Sequence, residues 1–232
     1  MGNKLNSDPH LAGWVFKKYR DGSILITTSL VIISASGIFF SPHLLFWVVF
    51  ILSLLLWFVV QYFFRDPDRP FDRLPTIFYS PGDGVVSDII NLREKEYLDL
   101  DFVRVGIFLS VFDVHVQRAP ISGVVDFVNH QPGKNHPAYK HAASQENDQI
   151  VMGMKTSCGM IIIKQISGIL ARKCINYAKP GARIFSGQRY GLIKFGSRVE
   201  LYLPPDANIL CSVGDPVKGG LTTIAEMKTI DL

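Results

Sequence analysis

The sequence predicts a mainly β domain carried on an N-terminal α-helical membrane hairpin. Three observations lead there: two long uncharged apolar runs near the N-terminus, a series of short alternating runs punctuated by Gly and Pro after residue 80, and two pairs of mutually similar segments within that later part. The 232 residues are 48% hydrophobic. Much of that excess lies in the first seventy or so residues, which do not read as a water-soluble core.

Residues 1–22 form a short N-terminal segment, and residues 23–64 the predicted hairpin. Ser23 to Phe40 and Leu44 to Phe64 carry no charge, and each approaches the roughly 20 residues a helix needs to cross the hydrocarbon core. A signal peptide is a poor reading, because the first run is too long, no small-residue cleavage site precedes Ser41 and a second run follows at once. The connector Ser41-Pro42-His43 is short and its proline breaks the helix. Lys17, Lys18 and Arg20 precede the first run, while Arg65, Arg69 and Arg73 follow the second. Both ends are therefore expected on the cytoplasmic side of the cell's inner membrane, with Trp47, Trp57 and Tyr62 as interfacial anchors. A hairpin that embeds without spanning is the alternative, since the first run is short and contains Thr27, Thr28, Ser29, Ser34 and Ser36.

Residues 65–79 read as a linker and 80–232 as a β-rich domain. The predicted strands are Gly84 to Ile90, Val103 to Leu109, Val114 to Gln117, Val124 to Asn129, Ile150 to Lys155, Met160 to Ile166, Cys174 to Tyr177 and Gly191 to Pro204. SPGDGVV (80–86) echoes APISGVV (119–125), and PGARIFSGQRYGLI (180–193) echoes VGDPVKGGLTTIA (213–225). The second pair resembles the turns of lipoyl and biotinyl carrier domains, which implies a sandwich or flattened barrel of two interlocking halves. Plain turn chemistry, with Gly supplying positive φ, accounts for the same glycines without a repeat.

Net charge is +4, spread along the chain without a basic stripe, so no nucleic-acid partner is expected. Cys158, Cys174 and Cys211 are odd in number and lack metal or redox spacing, which suggests reduced thiols. His130, His136 and His141 fit no familiar metal site and read as a polar loop; no metal is expected. The sequence holds no GxGxxG, Walker, GxSxG or HExxH motif, which removes the usual parts of hydride transfer, nucleotide hydrolysis and zinc proteolysis.

One strand breaks its own pattern. In GLIKFGSRVELYLP (191–204), Ile193, Phe195, Val199, Leu201 and Leu203 share one face, yet Ser197 falls on that face directly after Gly196. On the segment 112–117 the same phasing puts Asp113, His115 and Gln117 together, so that Asp113 could orient the His115 ring. Asp83, in SPGDG, reads first as a turn former.

Four segments in order resemble the phosphatidylserine decarboxylase family, in its short, membrane-anchored bacterial and archaeal branch: FFRDPDRP (63–70), SPGDGVV (80–86), FLSVFDVHVQRAPISGVV (108–125) and GLIKFGSRVELYLP (191–204). ISGILARK (166–173) and the C-terminal VGDPVKGGLTTIA extend the similarity over the whole β domain. The resemblance implies a proenzyme that cuts itself between Gly196 and Ser197, giving a large chain (1–196) and a small chain (197–232) that stay associated. Ser197 would be the nucleophile and become a pyruvoyl cofactor, whose ketone forms a Schiff base with the substrate amine. His115 would be base and acid, with Asp83 rather than Asp113 orienting it. The expected reaction converts phosphatidylserine to phosphatidylethanolamine and carbon dioxide. Its partner is a membrane phospholipid, and a homo-oligomer is compatible with it.

Two departures limit the transfer. The longer bacterial branch carries a second histidine where this chain has Phe112, and Glu146-Asn147-Asp148-Gln149 stands where relatives often have ENER. Arg118, Lys134 and Lys140 are the basic candidates for binding the substrate phosphate. The alternatives are decarboxylation of an archaetidylserine-like ether lipid, or a non-enzymatic carrier-like adaptor, which would need a modifiable lysine at a hairpin tip; Lys194 lies mid-strand by phase, which argues against the adaptor.

Overall fold

The computed structural model describes residues 10–41, 43–69, 74–134, 136, 143–168, 174–193 and 196–227. The chain divides into two compact units, residues 13–66 and residues 67–232 together with 1–12. Lys140, His141, Lys194 and Phe195, all weighed above, lie outside the described residues.

The first unit is built on helices α1 (His10–Phe40) and α2 (Leu44–Phe63). The first begins well before Ser23, so its apolar run is the C-terminal part of a longer helix. Arg20–Phe40 and Leu44–Phe63 are each long and apolar enough to cross a membrane. Leu25, Ile33, Phe40, Leu45 and Leu52 all stay largely exposed, as expected of side chains whose surroundings are lipid. The hydroxyls that made the first run look weak are satisfied inside the unit. Thr27 donates to the Ser23 carbonyl (2.9 Å), Ser34 and Ser53 share a hydrogen bond between the helices (3.0 Å), and Trp57 Nε1 donates to Thr28 Oγ1 (2.9 Å). Such pairs fasten helices where apolar contact gives no preference over lipid.

The second unit is mainly β. Its strands are β1 (Ile77–Tyr79), β2 (Gly84–Glu94), β3 (Leu100–Leu109), β4 (Val116–Arg118), β5 (Gly123–Gln131), β6 (Gln149–Thr156), β7 (Gly159–Ile166), β8 (Cys174–Asn176), β9 (Arg183–Ile184), β10 (Arg189–Ile193), β11 (Ser197–Leu203), β12 (Asn208–Ile209), β13 (Pro216–Val217) and β14 (Thr223–Glu226), with one short helix, α3 (Ala143–Glu146). Eight strands form a sheet in the order β13-β2-β3-β11-β7-β6-β5-β9; β1-β14-β12 and β4-β10-β8 form two small sheets.

The similar segments occupy equivalent places. β1 leads into β2 as β4 leads into β5; β13 pairs with β2 as β9 pairs with β5; β14 pairs with β1 as β10 pairs with β4. The correspondence holds bond by bond. Gly220 N–H donates to the Ser80 carbonyl and Gly187 N–H to that of Ala119, while Gly214 N–H donates to Val86 and Gly181 N–H to Val125. The two halves also cross-link, since Tyr79 N–H reaches the Pro120 carbonyl and Arg118 N–H the Pro81 carbonyl. The repeat therefore reflects structure and not turn composition alone.

Alternation places Val105, Ile107, Leu109, Met152, Met154, Ile161, Ile163, Val199, Leu201 and Leu203 in one buried cluster beneath the large sheet. Each fully buried side chain of this kind contributes about 1.5–3 kcal/mol from removal of apolar surface from water. β11 lies at the middle of that sheet, between β3 and β7, and is buried on both faces.

Candidate active site

The strand predicted from Gly191 to Pro204 is two strands. β10 belongs to a small sheet and β11 to the large one, and the chain changes sheets between Ile193 and Ser197. Gly196 has φ +60°, a left-handed conformation that an extended strand cannot contain and that costs an L side chain roughly 1–2 kcal/mol. Among the described residues a Cβ at Gly196 would meet nothing nearer than Val111 Cγ1 at 3.9 Å, so there the backbone angle, and not crowding, calls for glycine.

Ser197 opens β11 opposite Leu109 of β3. It keeps the phase of Val199 and Leu201, is 0% exposed, and its Oγ has no hydrogen-bond partner among the described residues. A buried hydroxyl left this way costs about 1–3 kcal/mol, which is unusual outside a functional position.

His115 reaches the same region by topology. Residue 109 stands opposite 197, and Ile193 N–H donates to the His115 carbonyl (3.3 Å). The connection 110–114 thus leads between the same pair of sheets that Ile193 and Ser197 belong to, and Val111 Cγ1 lies 3.9 Å from where a Cβ on Gly196 would stand. His115 precedes β4 instead of lying within a strand, because residues 110–113 form a turn. The Asp113 carboxylate accepts the Ser110 N–H (2.7 Å) and so closes that turn. Its main-chain carbonyl, not its carboxylate, accepts from His115 Nδ1 (2.8 Å). That bond fixes the proton on Nδ1 and leaves Nε2 as the basic nitrogen of the neutral ring.

Asp83 lies in the turn before β2. Arg69 grips its carboxylate with Nη1 to Oδ1 (2.5 Å) and Nη2 to Oδ2 (2.7 Å), and Gly219 N–H donates to Oδ1 (2.9 Å). In the other half of the repeat, Ser122 Oγ accepts the Ser186 N–H at the same place (2.9 Å). Gly82 brings this turn against β4 and β11, since a Cβ there would lie 3.1 Å from the Gln117 side chain and 3.3 Å from Val199. The Asp83 turn, the β4 strand that follows His115 and the β11 strand that begins at Ser197 therefore converge.

Of the basic candidates, Arg118 is buried and donates to the Gly187 and Pro67 carbonyls. Lys134 is exposed and pairs with Glu146 (3.0 Å). His130 bonds Asp148 (2.7 Å) and His136 bonds Glu146 (3.1 Å). Two residues escaped the sequence reading. Arg69 was visible only as a flanking positive charge and as part of FFRDPDRP, not as a partner of Asp83, and the buried Gln117 amide, whose oxygen and nitrogen have no partner among the described residues, carried no signal beyond sharing a face with His115.

Two repeated β halves, a buried serine hydroxyl without a partner among the described residues directly after a left-handed glycine, and two helices long and apolar enough to cross a membrane define a class: a β domain with a candidate reactive serine in its core, joined to an apolar helical unit. The comparisons make the class specific. The family model for phosphatidylserine decarboxylase matches residues 56–225. The chain is 41% identical over 184 residues to a phosphatidylserine decarboxylase proenzyme of Carboxydothermus hydrogenoformans, covering 79% of this chain and 86% of that one. It is 38% identical to the phosphatidylserine decarboxylase proenzyme of Aromatoleum aromaticum, over 96% of this chain and 99% of the other. A putative archaetidylserine decarboxylase proenzyme of Methanococcoides burtonii is 37% identical, over 86% and 92%. The chain belongs to the phosphatidylserine decarboxylase family.

Proposed function

We propose that this chain is a self-processing proenzyme whose mature form decarboxylates phosphatidylserine to phosphatidylethanolamine at the cytoplasmic face of the inner membrane. The observation that carries the reading is Ser197, whose buried Oγ lacks a partner among the described residues and follows Gly196 at the left-handed break between two sheets.

His115 Nε2 takes the proton of Ser197 Oγ, and the oxygen adds to the Gly196 carbonyl carbon. The Gly196–Ser197 C–N bond breaks, its nitrogen becomes the free amine of Ser197, and an ester joins the two residues. Loss of the Ser197 α-proton then breaks the Cβ–Oγ bond and frees Gly196 as a carboxylate. The dehydroalanine left at 197 takes up water and releases ammonia, so a pyruvoyl group caps Arg198. Ser197 suits that group because it starts a strand whose next residues are fixed on both sides.

The pyruvoyl carbonyl supplies an electron sink for loss of the substrate carboxylate as carbon dioxide. His115 returns a proton to the α-carbon. Asp83 orients the His115 imidazolium by exchanging one of its present bonds, to Arg69 or Gly219, for the ring Nδ1–H, which then leaves the Asp113 carbonyl. Of the two described candidates for the substrate phosphate, Lys134 is preferred to the buried Arg118, since its side chain is exposed. Positive charge at both ends of the helical unit supports the cytoplasmic placement. The similarity to the Methanococcoides burtonii protein supports a second reading, an ether-linked seryl lipid as substrate.

Intact mass and gel analysis of the purified protein test the proposal. Two chains are expected, with a carbonyl reagent labelling only the small one and Ser197→Ala preventing the cut; a single full-length chain overturns it. Assays with diacyl and ether seryl lipids separate the two substrates.

A further inference from the structure

Residue 198 shares its strand with Ser197 but faces the opposite way. On that face lies a buried charge cluster belonging to both halves of the cut chain. The Arg198 guanidinium donates through all three nitrogens: Nε to Glu200 Oε1 (2.8 Å), Nη1 to Ser87 Oγ (2.7 Å) and Nη2 to Asp88 Oδ2 (2.5 Å). Its side chain is only 5% exposed. Arg104 Nη2 donates to the other Asp88 oxygen (2.9 Å), and Tyr202 and Ser144 hydroxyls complete the shell of Glu200 (2.9 and 2.7 Å). Asp88 and Glu200 thus balance Arg104 and Arg198. The niche exists because β3 has glycine there, since a Cβ on Gly106 would lie 2.7 Å from Arg198 Cζ and 2.8 Å from Asp88 Oδ2.

A buried ion cluster adds little net stability over a well-packed apolar equivalent, and its best-attested use is to specify register. Register is what a cut at Gly196–Ser197 puts at risk. The covalent tether through Gly196 is gone, and residue 197 loses its nitrogen as ammonia, together with any backbone bond that nitrogen made. Arg198 is then the first residue of the small chain with its own attachment to the large chain, through Ser87 and Asp88. A slip of one residue would drive the guanidinium into the apolar cluster around Val199 and turn the reactive group away from His115.

We propose that Arg198 is a positioning residue, holding the pyruvoyl group in register after the chain is cut. This rests on the self-cleavage reading above. The test uses the full chain in phosphatidylserine vesicles, comparing wild type with Arg198→Lys, which keeps the charge but not the fork, and Gly106→Ala, which crowds the guanidinium out of its niche while leaving the arginine itself in the sequence. Turnover is expressed per carbonyl-bearing small chain, and melting temperature is followed in parallel. The expected result is that at least one variant is cut and carbonyl-bearing with kcat down about tenfold to a hundredfold, KM within about twofold, and a melting temperature near that of wild type. Wild-type kcat per carbonyl in the cut variants would overturn the proposal, as would a kcat that falls only in step with melting temperature. An uncut wild-type chain would remove the self-cleavage reading as well, which distinguishes the two failures.

Discussion

Arg69 holds Asp83 by both carboxylate oxygens, at 2.5 and 2.7 Å, with side chains 5% and 11% exposed. The related turn in the other half of the repeat manages the same backbone N–H with the neutral Ser122. A turn at this place does not need a charge, so the aspartate and its arginine are an addition to the repeat.

That addition predicts different outcomes for two aspartates. Asp83→Asn keeps an acceptor for Gly219 N–H but removes the charge that would stabilise an imidazolium, so self-cleavage is expected to slow by about a hundredfold or more. Asp113→Asn leaves the main-chain carbonyl that accepts from His115 and is expected to slow it less than tenfold or so. Cleavage half-times on gels decide, and the reverse order would assign the orienting role to Asp113.

Gly196 supplies a test that separates backbone angle from space. Because φ is +60° and a Cβ has room among the described residues, Gly196→Ala should slow cleavage, while Gly196→Asn, which visits the left-handed region more readily, should retain more of it. Equal rates for both variants would show that the left-handed angle is not what the reaction requires.

The Asp88 carboxyl gives a pH dependence. Burial pushes its pKa up, but the hydrogen bond and charge of Arg198, with Arg104 adding to them, outweigh that and hold it below the ordinary value. A lowered folded-state pKa gives stability that is present above the unfolded value of about 3.9 and lost as pH falls through the folded value. Melting temperature should therefore drop on acidification below about pH 4, and Asp88→Asn should lower it at neutral pH while flattening the acid limb.

Cysteine labelling probes the β unit from another side. Burial, with Asp148 adding to it, pushes the Cys174 thiol up, and burial with Asp215 does the same at Cys211, whereas Cys158 lies partly exposed. Maleimide at neutral pH should label Cys158 first and Cys174 only after denaturation. Rapid labelling of Cys174 in the native protein would contradict the placement of β8.

The strands were legible because their alternation is local. Runs such as Val103 to Leu109 and Ile150 to Lys155 lie within the observed strands, and even the faint echoes of 80–86 in 119–125 and 180–193 in 213–225 keep their register. What the alternation could not show is where a strand changes sheets. The period of two passes through Gly196 without a mark, although its backbone is left-handed there. Ser197 was visible because it violated a pattern. Arg198 was not, because an arginine alternating with a glutamate looks like any solvated face until the partners 110 and 111 residues earlier are known.

β11 has a consequence beyond register. A cut after Gly196 would leave the small chain as a central plank of the large sheet, hydrogen-bonded on one side to β3 and on the other to β7, with β13 paired to β2 at the sheet's edge and β14 paired to β1 in a small sheet. It could not leave without tearing the domain apart, nor could a fresh copy be slotted in. Each polypeptide would then make its prosthetic group once, and a molecule whose group is spent by a side reaction could be replaced only by new synthesis.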